Sequence, residues 1–300
     1  MRKSESEISR YATLLVDYSI GVQPGWQVLV ATTTEAEPLA RELSRLIGER
    51  GAYALQRISF GARWPVDADW LCAAPELGVA PAELELYDRI DALIVVTAPR
   101  LHGPTPPSAA MRRTVSALRA RGHDGGIPHV RCDFPCAFFA RAADLTLEEY
   151  ERLFCEACLR DWEAEGRKME PVRAALDEAR ELRIEAPGTD LRLSLEGRCS
   201  EIDDGHVNVP GGEVFCCPVE ESAEGEVVLE SPSGNATGIR LRFEAGEKIA
   251  GTIHLALGSG FPRLGGRNVS DVHWDLLRDM REGGRVTIDG RLAYENGVWL

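Results

Sequence analysis

Two short runs in the first half of the chain, 27–31 and 92–96, are apolar almost throughout, and a third apolar-rich run spans 52–59. A strand covered on both faces reads as a continuous apolar run, whereas one with a wet face alternates. Between the first and second runs in chain order, Leu39, Leu43, Leu46 and Ile47 recur at helical spacing. Thr34 offers a cap for that helix, Pro38 is tolerated in its first turn, and Gly51 ends it. Strand, helix and strand with short connections form a right-handed crossover, so these strands are predicted to be parallel.

The pattern extends in both directions. Ile8, Tyr11, Leu14, Leu15 and Tyr18 predict an amino-terminal helix that stops at Gly21. A helix near 108–121 and a strand at 129–132 follow the run at 92–96. Thr146 and Glu149 form a capping box ahead of Tyr150, Leu153, Phe154 and Ala157, and a further helix is expected at 168–181. Residues 1–185 thus read as an α/β domain with a mainly parallel sheet.

Past Pro187-Gly188 the pattern becomes alternating, with Leu191, Leu193 and Leu195 on one face. Asp204-Gly205, Gly211-Gly212, Ser233-Gly234, Gly283-Gly284, Asp289-Gly290 and Asn296-Gly297 punctuate short strands as hairpin turns do. Residues 186–300 therefore read as a β-rich α+β domain, largely antiparallel. Asp190 and Arg198 are expected to pair across its first strand.

Charge narrows the partners. The 300 residues carry 34 Lys and Arg against 48 Asp and Glu, a net charge of −14. Such a chain repels phosphate backbones and anionic lipid, so neither nucleic acid nor a membrane is an expected partner. No apolar run approaches the ~20 residues of a spanning helix. The first dozen residues place acids and serines where a secretion signal needs its apolar core, which points to the cytoplasm. The eight cysteines are then expected as free thiols. Cys132, Cys136, Cys155 and Cys158 have the makings of a four-thiolate zinc site, but packing of small buried thiols explains them better.

Four residues of the second half carry chemistry: Glu213, His254, His273 and Asp275. Alternation sets His254 opposite Ile253, Leu255 and Leu257. His273 and Asp275, two apart, project side by side if they lie on a strand. Imidazoles and carboxylates together suit zinc, iron, cobalt or manganese. Glu213 follows Pro210-Gly211-Gly212, where the backbone can approach a ligand closely. Spacing alone leaves open both a metal centre and hydrogen-bonded strand histidines.

The segments GTDLRLSLEGR, NVPGGEVF, GTIHLALGSGFP and GGRNVSDVHWDLLRD resemble, in order, the motifs of the aminopeptidase T and aminopeptidase S family of metallopeptidases. ISRYATLLVDYSIGVQPGWQVLV and LTLEEYERLFCEACLRDW are similar to that family as well, so the likeness runs from about residue 8 to Leu300. The resemblance implies a cytosolic, homodimeric aminopeptidase with one or two divalent ions, zinc, cobalt or manganese ahead of iron, and a peptide substrate. It makes Glu213, His254, His273 and Asp275 metal ligands, with Glu213 also the catalytic carboxylate. Two departures stand out. Phe261 occupies the place of a family tyrosine, and the short 244–249 segment has no aligned counterpart of a second metal-binding glutamate, with Glu244 and Glu247 the nearest acids. Arg263 and Arg267 are candidates to bind a substrate carboxylate. Two histidines and an aspartate also make the triad of mononuclear Fe(II) oxygenases, and the 2,5-dihydroxypyridine dioxygenases resemble the same family. A ring-cleaving enzyme of that kind, or a non-catalytic homologue, is the alternative.

Overall fold

A computed structural model of the chain describes residues 5–60, 73–74, 76, 78–100, 113–114, 116–118, 126–216, 218–229, 239–243, 255–258, 272–273, 284–295 and 298–300. Contacts divide it into two compact units, residues 1–160 with 205–210 and residues 161–204 with 211–300. No helix among the described residues is long and apolar enough to cross a membrane.

The first unit is built on a parallel sheet of five strands, β1 (Gln27–Thr33), β2 (Tyr53–Ser59), β3 (Ala92–Thr97), β4 (His129–Asp133) and β8 (Asn208–Val209), in the order β2-β1-β3-β4-β8. The apolar runs are the central strands, as covered strands must be. One cluster joins Leu29, Ala31 and Leu93 to Tyr87 and Ile90. The helix Glu37–Glu49 packs on β1 and β2 and buries Leu39, Leu43, Leu46 and Ile47. Each of those large side chains contributes about 1.5–3 kcal/mol by leaving water. The expected cap is displaced. Thr34 opens a short 3-10 turn, Thr34–Ala36, so the α-helix starts at Glu37 with no side-chain cap. The Thr34 hydroxyl instead accepts from the Arg100 guanidinium at 2.9 Å.

The capping box forms as read. The Thr146 hydroxyl accepts from Glu149 N at 3.2 Å, and the Glu149 carboxylate accepts from Thr146 N at 2.9 Å. The helix Leu147–Cys158 then buries Tyr150, Phe154, Ala157 and Cys158. Phe154 meets Tyr11 edge-on, with ring centroids 5.4 Å apart. The buried Tyr11 hydroxyl donates to the Asp133 carbonyl at 3.0 Å, with the Val209 carbonyl 3.4 Å away. Burial holds that phenol far above its usual pKa, so it remains a donor.

The second unit contains a seven-stranded sheet. Its strands are β5 (Glu181–Ala186), β6 (Thr189–Ser194), β10 (Val219–Leu229), β11 (Ile239–Phe243), β14 (Arg285–Ile288), β15 (Arg291–Glu295) and β16 (Val298–Trp299), in the order β11-β10-β6-β5-β14-β15-β16. All its neighbouring strands are antiparallel. Leu182, Ile184, Leu191, Leu193, Val286 and Tyr294 form its core with Leu176. Asp289 and Gly290 both have positive φ, 47° and 76°, as a two-residue type I′ turn between β14 and β15 requires.

The compact units do not divide near residue 185. Pro187-Gly188, read as the point of change, is the two-residue turn of the β5–β6 hairpin, whose ends pair as Ala186 with Thr189. The helix before it runs Trp162–Glu178 rather than 168–181. The Asp161 carboxylate caps it by accepting from Ala164 N at 3.0 Å, and Leu176 packs in the second unit's core. Asp204-Gly205, by contrast, is not a hairpin turn, because the chain next pairs as β8 in parallel with β4. Asp190 pairs with Arg183, through two contacts of 2.9 Å, and not with Arg198. The β5–β6 register sets Asp190 opposite Glu185, two residues from Arg183 on the same face.

Candidate metal centre

A second sheet of the second unit carries two of the candidate residues, Glu213 and His273. It contains β7 (Ser200–Asp203), β9 (Glu213–Cys216), β12 (Leu255–Gly258) and β13 (Val272–His273), in the order β13-β12-β9-β7. The helix Trp162–Glu178 packs on β7 and β9. Alternation fixes which residues meet that core: Val214 and Cys216 are buried in it and Ile202 packs against it. Glu213 and Phe215 take the other parity and are half-buried.

Glu213 is the first residue of β9. Gly212 before it has φ 98°, a conformation that costs glycine nothing, and its N–H donates to the Asp203 carbonyl at 2.5 Å. Asp203 and Glu213 are directly paired across β7 and β9, and Glu213 is paired with Gly258 on its other side. Three strands therefore contribute one row, Asp203, Glu213 and Gly258, in which the glycine adds no side chain beside the glutamate. His273 pairs with Ala256, which also pairs with Phe215. The His273 position is thus level with Phe215, two residues along β9 from Glu213.

The topology brings the strands bearing Glu213 and His273 into one sheet with one strand between them. His254, Asp275, Arg263 and Arg267 lie outside the described residues, as do Phe261, Glu244 and Glu247, and only the backbone of His273 is described. Among the described residues no three His, Cys, Asp or Glu side chains gather as a metal site. That includes the four cysteines Cys132, Cys136, Cys155 and Cys158, none of them in a disulfide. The Cys136 thiol donates to the Pro99 carbonyl at 3.3 Å. Burial pushes the Cys132 and Cys136 thiols above their usual pKa, which keeps them neutral rather than thiolate. Cys132, Cys136 and Cys158 are buried and Cys155 is half-buried, as small packed thiols are. Sequence reasoning passed over Asp203, which is fully buried next to Glu213. Its one signal was the Glu201-Ile202-Asp203 alternation, which puts the aspartate on the parity away from the core.

A family model described as thermophilic metalloprotease (M29) matches residues 107–250, a stretch that includes β7, β8, β9 and Glu213. The resemblance read from the motifs is borne out. Among solved structures, wild-type AmpT from Thermus thermophilus aligns over 95% of this chain and 78% of its own, with 23% identity and a TM-score of 0.63. At that identity the likeness is one of fold, mixed α/β with a parallel sheet and antiparallel sheets. The 2,5-dihydroxypyridine dioxygenase from Pseudomonas putida KT2440 aligns over 94% of this chain and 75% of its own, at 15% identity and a TM-score of 0.48, too low to bear on function. A search of curated proteins gives no match.

Proposed function

We propose that the chain is a metal-dependent aminopeptidase that releases amino-terminal residues from peptides. The observation that carries this reading is the thermophilic metalloprotease match over 107–250, because that stretch contains Glu213 and the Gly211-Gly212 turn that precedes it. The fold shared with AmpT supports it.

The donor set fits a divalent ion. Glu213 is a half-buried carboxylate beside a glycine position in the next strand, and the sheet also holds the His273 strand. Glu213, His254, His273 and Asp275 would hold one or two ions, and two imidazoles with two carboxylates suit zinc, cobalt or manganese ahead of iron. When bound, such an ion lowers the pKa of a coordinated water toward about 7 and polarises the scissile carbonyl. Glu213 is the catalytic carboxylate and accepts a proton from the attacking water. Its place at a strand start, fixed by pairing on both sides, limits the movement that would misalign it. Arg263 and Arg267 bind the substrate carboxylate and so set which end of a peptide faces Glu213. The working assembly is a homodimer in the cytoplasm, with the second unit as the metal-binding domain, and its partner is a peptide rather than nucleic acid or membrane.

The test is hydrolysis of a panel of aminoacyl-nitroanilides by protein reconstituted with Zn²⁺, Co²⁺ or Mn²⁺. Release of nitroaniline from at least one member, lost on chelation, is the expected result. A metal-replete protein that leaves the whole panel untouched contradicts the proposal. One iron per chain with oxygen uptake on a dihydroxylated ring would replace it with the mononuclear Fe(II) reading.

A further inference from the structure

We infer that the outer edge of β2 is where two copies of this chain join, strand to strand about a two-fold axis. The inference rests on the homodimer of the proposed function and gives it a surface, while the peptidase chemistry does not enter. β2 ends the parallel sheet, and among the described residues no strand pairs on its far side. The Tyr53 N–H donates to the Trp26 carbonyl at 2.7 Å, so Tyr53, Leu55, Arg57 and Ser59 turn their backbone groups toward β1. Ala54, Gln56 and Ile58 between them therefore aim an N–H and a C=O outward. Natural edge strands are guarded by lysine, proline or a bulge. β2 has none of these. Its register with β1 runs unbroken from Tyr53 to Ser59, and its one charged residue, Arg57, is held by Glu83 at 2.6 Å.

Geometry and charge say what covers the edge. Of the large apolar side chains exposed among the described residues, Tyr53, Ile58 and Phe60 fall on this strand and the residue after it, and Phe60 is 63% exposed. Ile58 and Phe60 share the face of Gln56, whose amide donates to the Ala40 carbonyl of the helix Glu37–Glu49 at 3.2 Å. With Ala40, Arg41, Ser44 and Gln56 they line a hollow of about 590 Å³. Antiparallel pairing centred on Gln56 sets that residue against itself and Ala54 against Ile58, so every outward N–H and C=O of the three residues finds a partner. Strands lie about 4.8 Å apart, and the helix packs over β1 and β2, so the axis places helix and copy about 10 Å from each other. Packed helices are spaced by about 8–10 Å, so the second copy fills the hollow. An unrelated extended peptide would satisfy the backbone and leave the hollow open. The net charge of −14 opposes self-association elsewhere. On this helix the signs balance: Arg41 pairs with Glu37 at 2.7 Å, and Arg45 with Glu42 and Glu49. The two-fold runs the copies of the helix antiparallel, so bases and acids of the two chains can answer one another without an excess of either sign.

Analytical ultracentrifugation of the full chain tests this without any reference to turnover. Wild type should sediment with twice the 32.9 kDa mass of one chain. Ile58→Lys and Phe60→Lys each put a charge where the copy would bury it, and each should weaken dimerisation at least about a hundredfold. Both side chains reach solvent in the single chain, so both variants should fold. Circular dichroism checks this, and either variant serves if the other does not fold. Hydrogen exchange over residues 53–60 reads the edge with no substitution at all. The Ala54, Gln56 and Ile58 amides should exchange slowly while wild type is dimeric and speed up as dilution separates the copies. If the folded variants dimerise as tightly as wild type, or if dissociation leaves exchange over 53–60 unchanged, this interface is overturned and the homodimer stands. A wild type that is monomeric at high micromolar concentration, or that pairs at this edge with another polypeptide, would overturn interface and homodimer together. The nitroanilide panel judges the peptidase reading separately.

Discussion

His273→Ala is expected to lower aminopeptidase turnover by about a thousandfold, equivalent to about 4 kcal/mol of lost transition-state stabilisation. The residue lies in β13, and its backbone pairs with Ala256. Alanine keeps that pairing and removes only the imidazole. The fold should therefore survive, with the melting temperature within a few degrees of wild type, while the bound ion is lost or loosened. Steady-state rates on the best nitroanilide substrate, measured beside metal content, check the prediction. A variant that keeps its rate within tenfold would show that the imidazole does not serve the reaction.

The largest expected effect on stability lies elsewhere, at Gly225 in β10. Its φ is 116°, outside the range that side-chain-bearing residues adopt readily, and an added Cβ would sit 2.0 Å from the Asp190 carbonyl oxygen. The obstacle is backbone, so no rotamer change relieves it. β10 pairs there with β6, just past a break in register between Val219 and Glu224. Gly225→Ala must then both strain φ and push two paired strands apart. Conformational strain and overpacking cost about 1–3 kcal/mol each. A combined loss of about 3–5 kcal/mol, or roughly 10 °C in melting temperature, is the expected result. Scanning calorimetry of the variant decides it, and a shift under 2 °C would mean that β10 does not approach β6 as closely as the structure has it.

Much of the first unit was legible because its signals are local. The runs at 27–31 and 92–96 are apolar on both parities, and only strands covered on both faces require that. Thr146 and Glu149 satisfy one another within a single turn, so their box survives any tertiary context. The failures share a different cause. Pro187-Gly188 has the chemistry of a linker and of a hairpin turn alike, and only the pairing of Ala186 with Thr189 distinguishes the two. Asp204-Gly205 looked like a hairpin turn, but its flanking strands β7 and β8 join different sheets. Thr34 was a sound cap by type, yet the three residues of 3-10 turn moved the α-helix beyond it.

The candidate site divides along the same line. Glu213 stood out through the glycines before it. Asp203 did not, because nine residues separate it from Glu213 in sequence and only sheet register makes them neighbours. The strands β7, β9, β12 and β13 follow one another in chain order across this sheet, but β8, β10 and β11 between them join the other two sheets, so no periodicity in the sequence announces it. That order is what puts the strands of Glu213 and His273 into one sheet, and it is the part of the site that spacing could not supply.

Elemental analysis of the purified protein, wild type beside His254→Ala, bears most directly on the claim that this chain is built around a cation. After reconstitution and removal of free metal, wild type should retain one or two divalent ions per chain, and His254→Ala should retain fewer. A wild-type protein that carries no ion, or a His254→Ala protein that carries as much as wild type, would contradict the account.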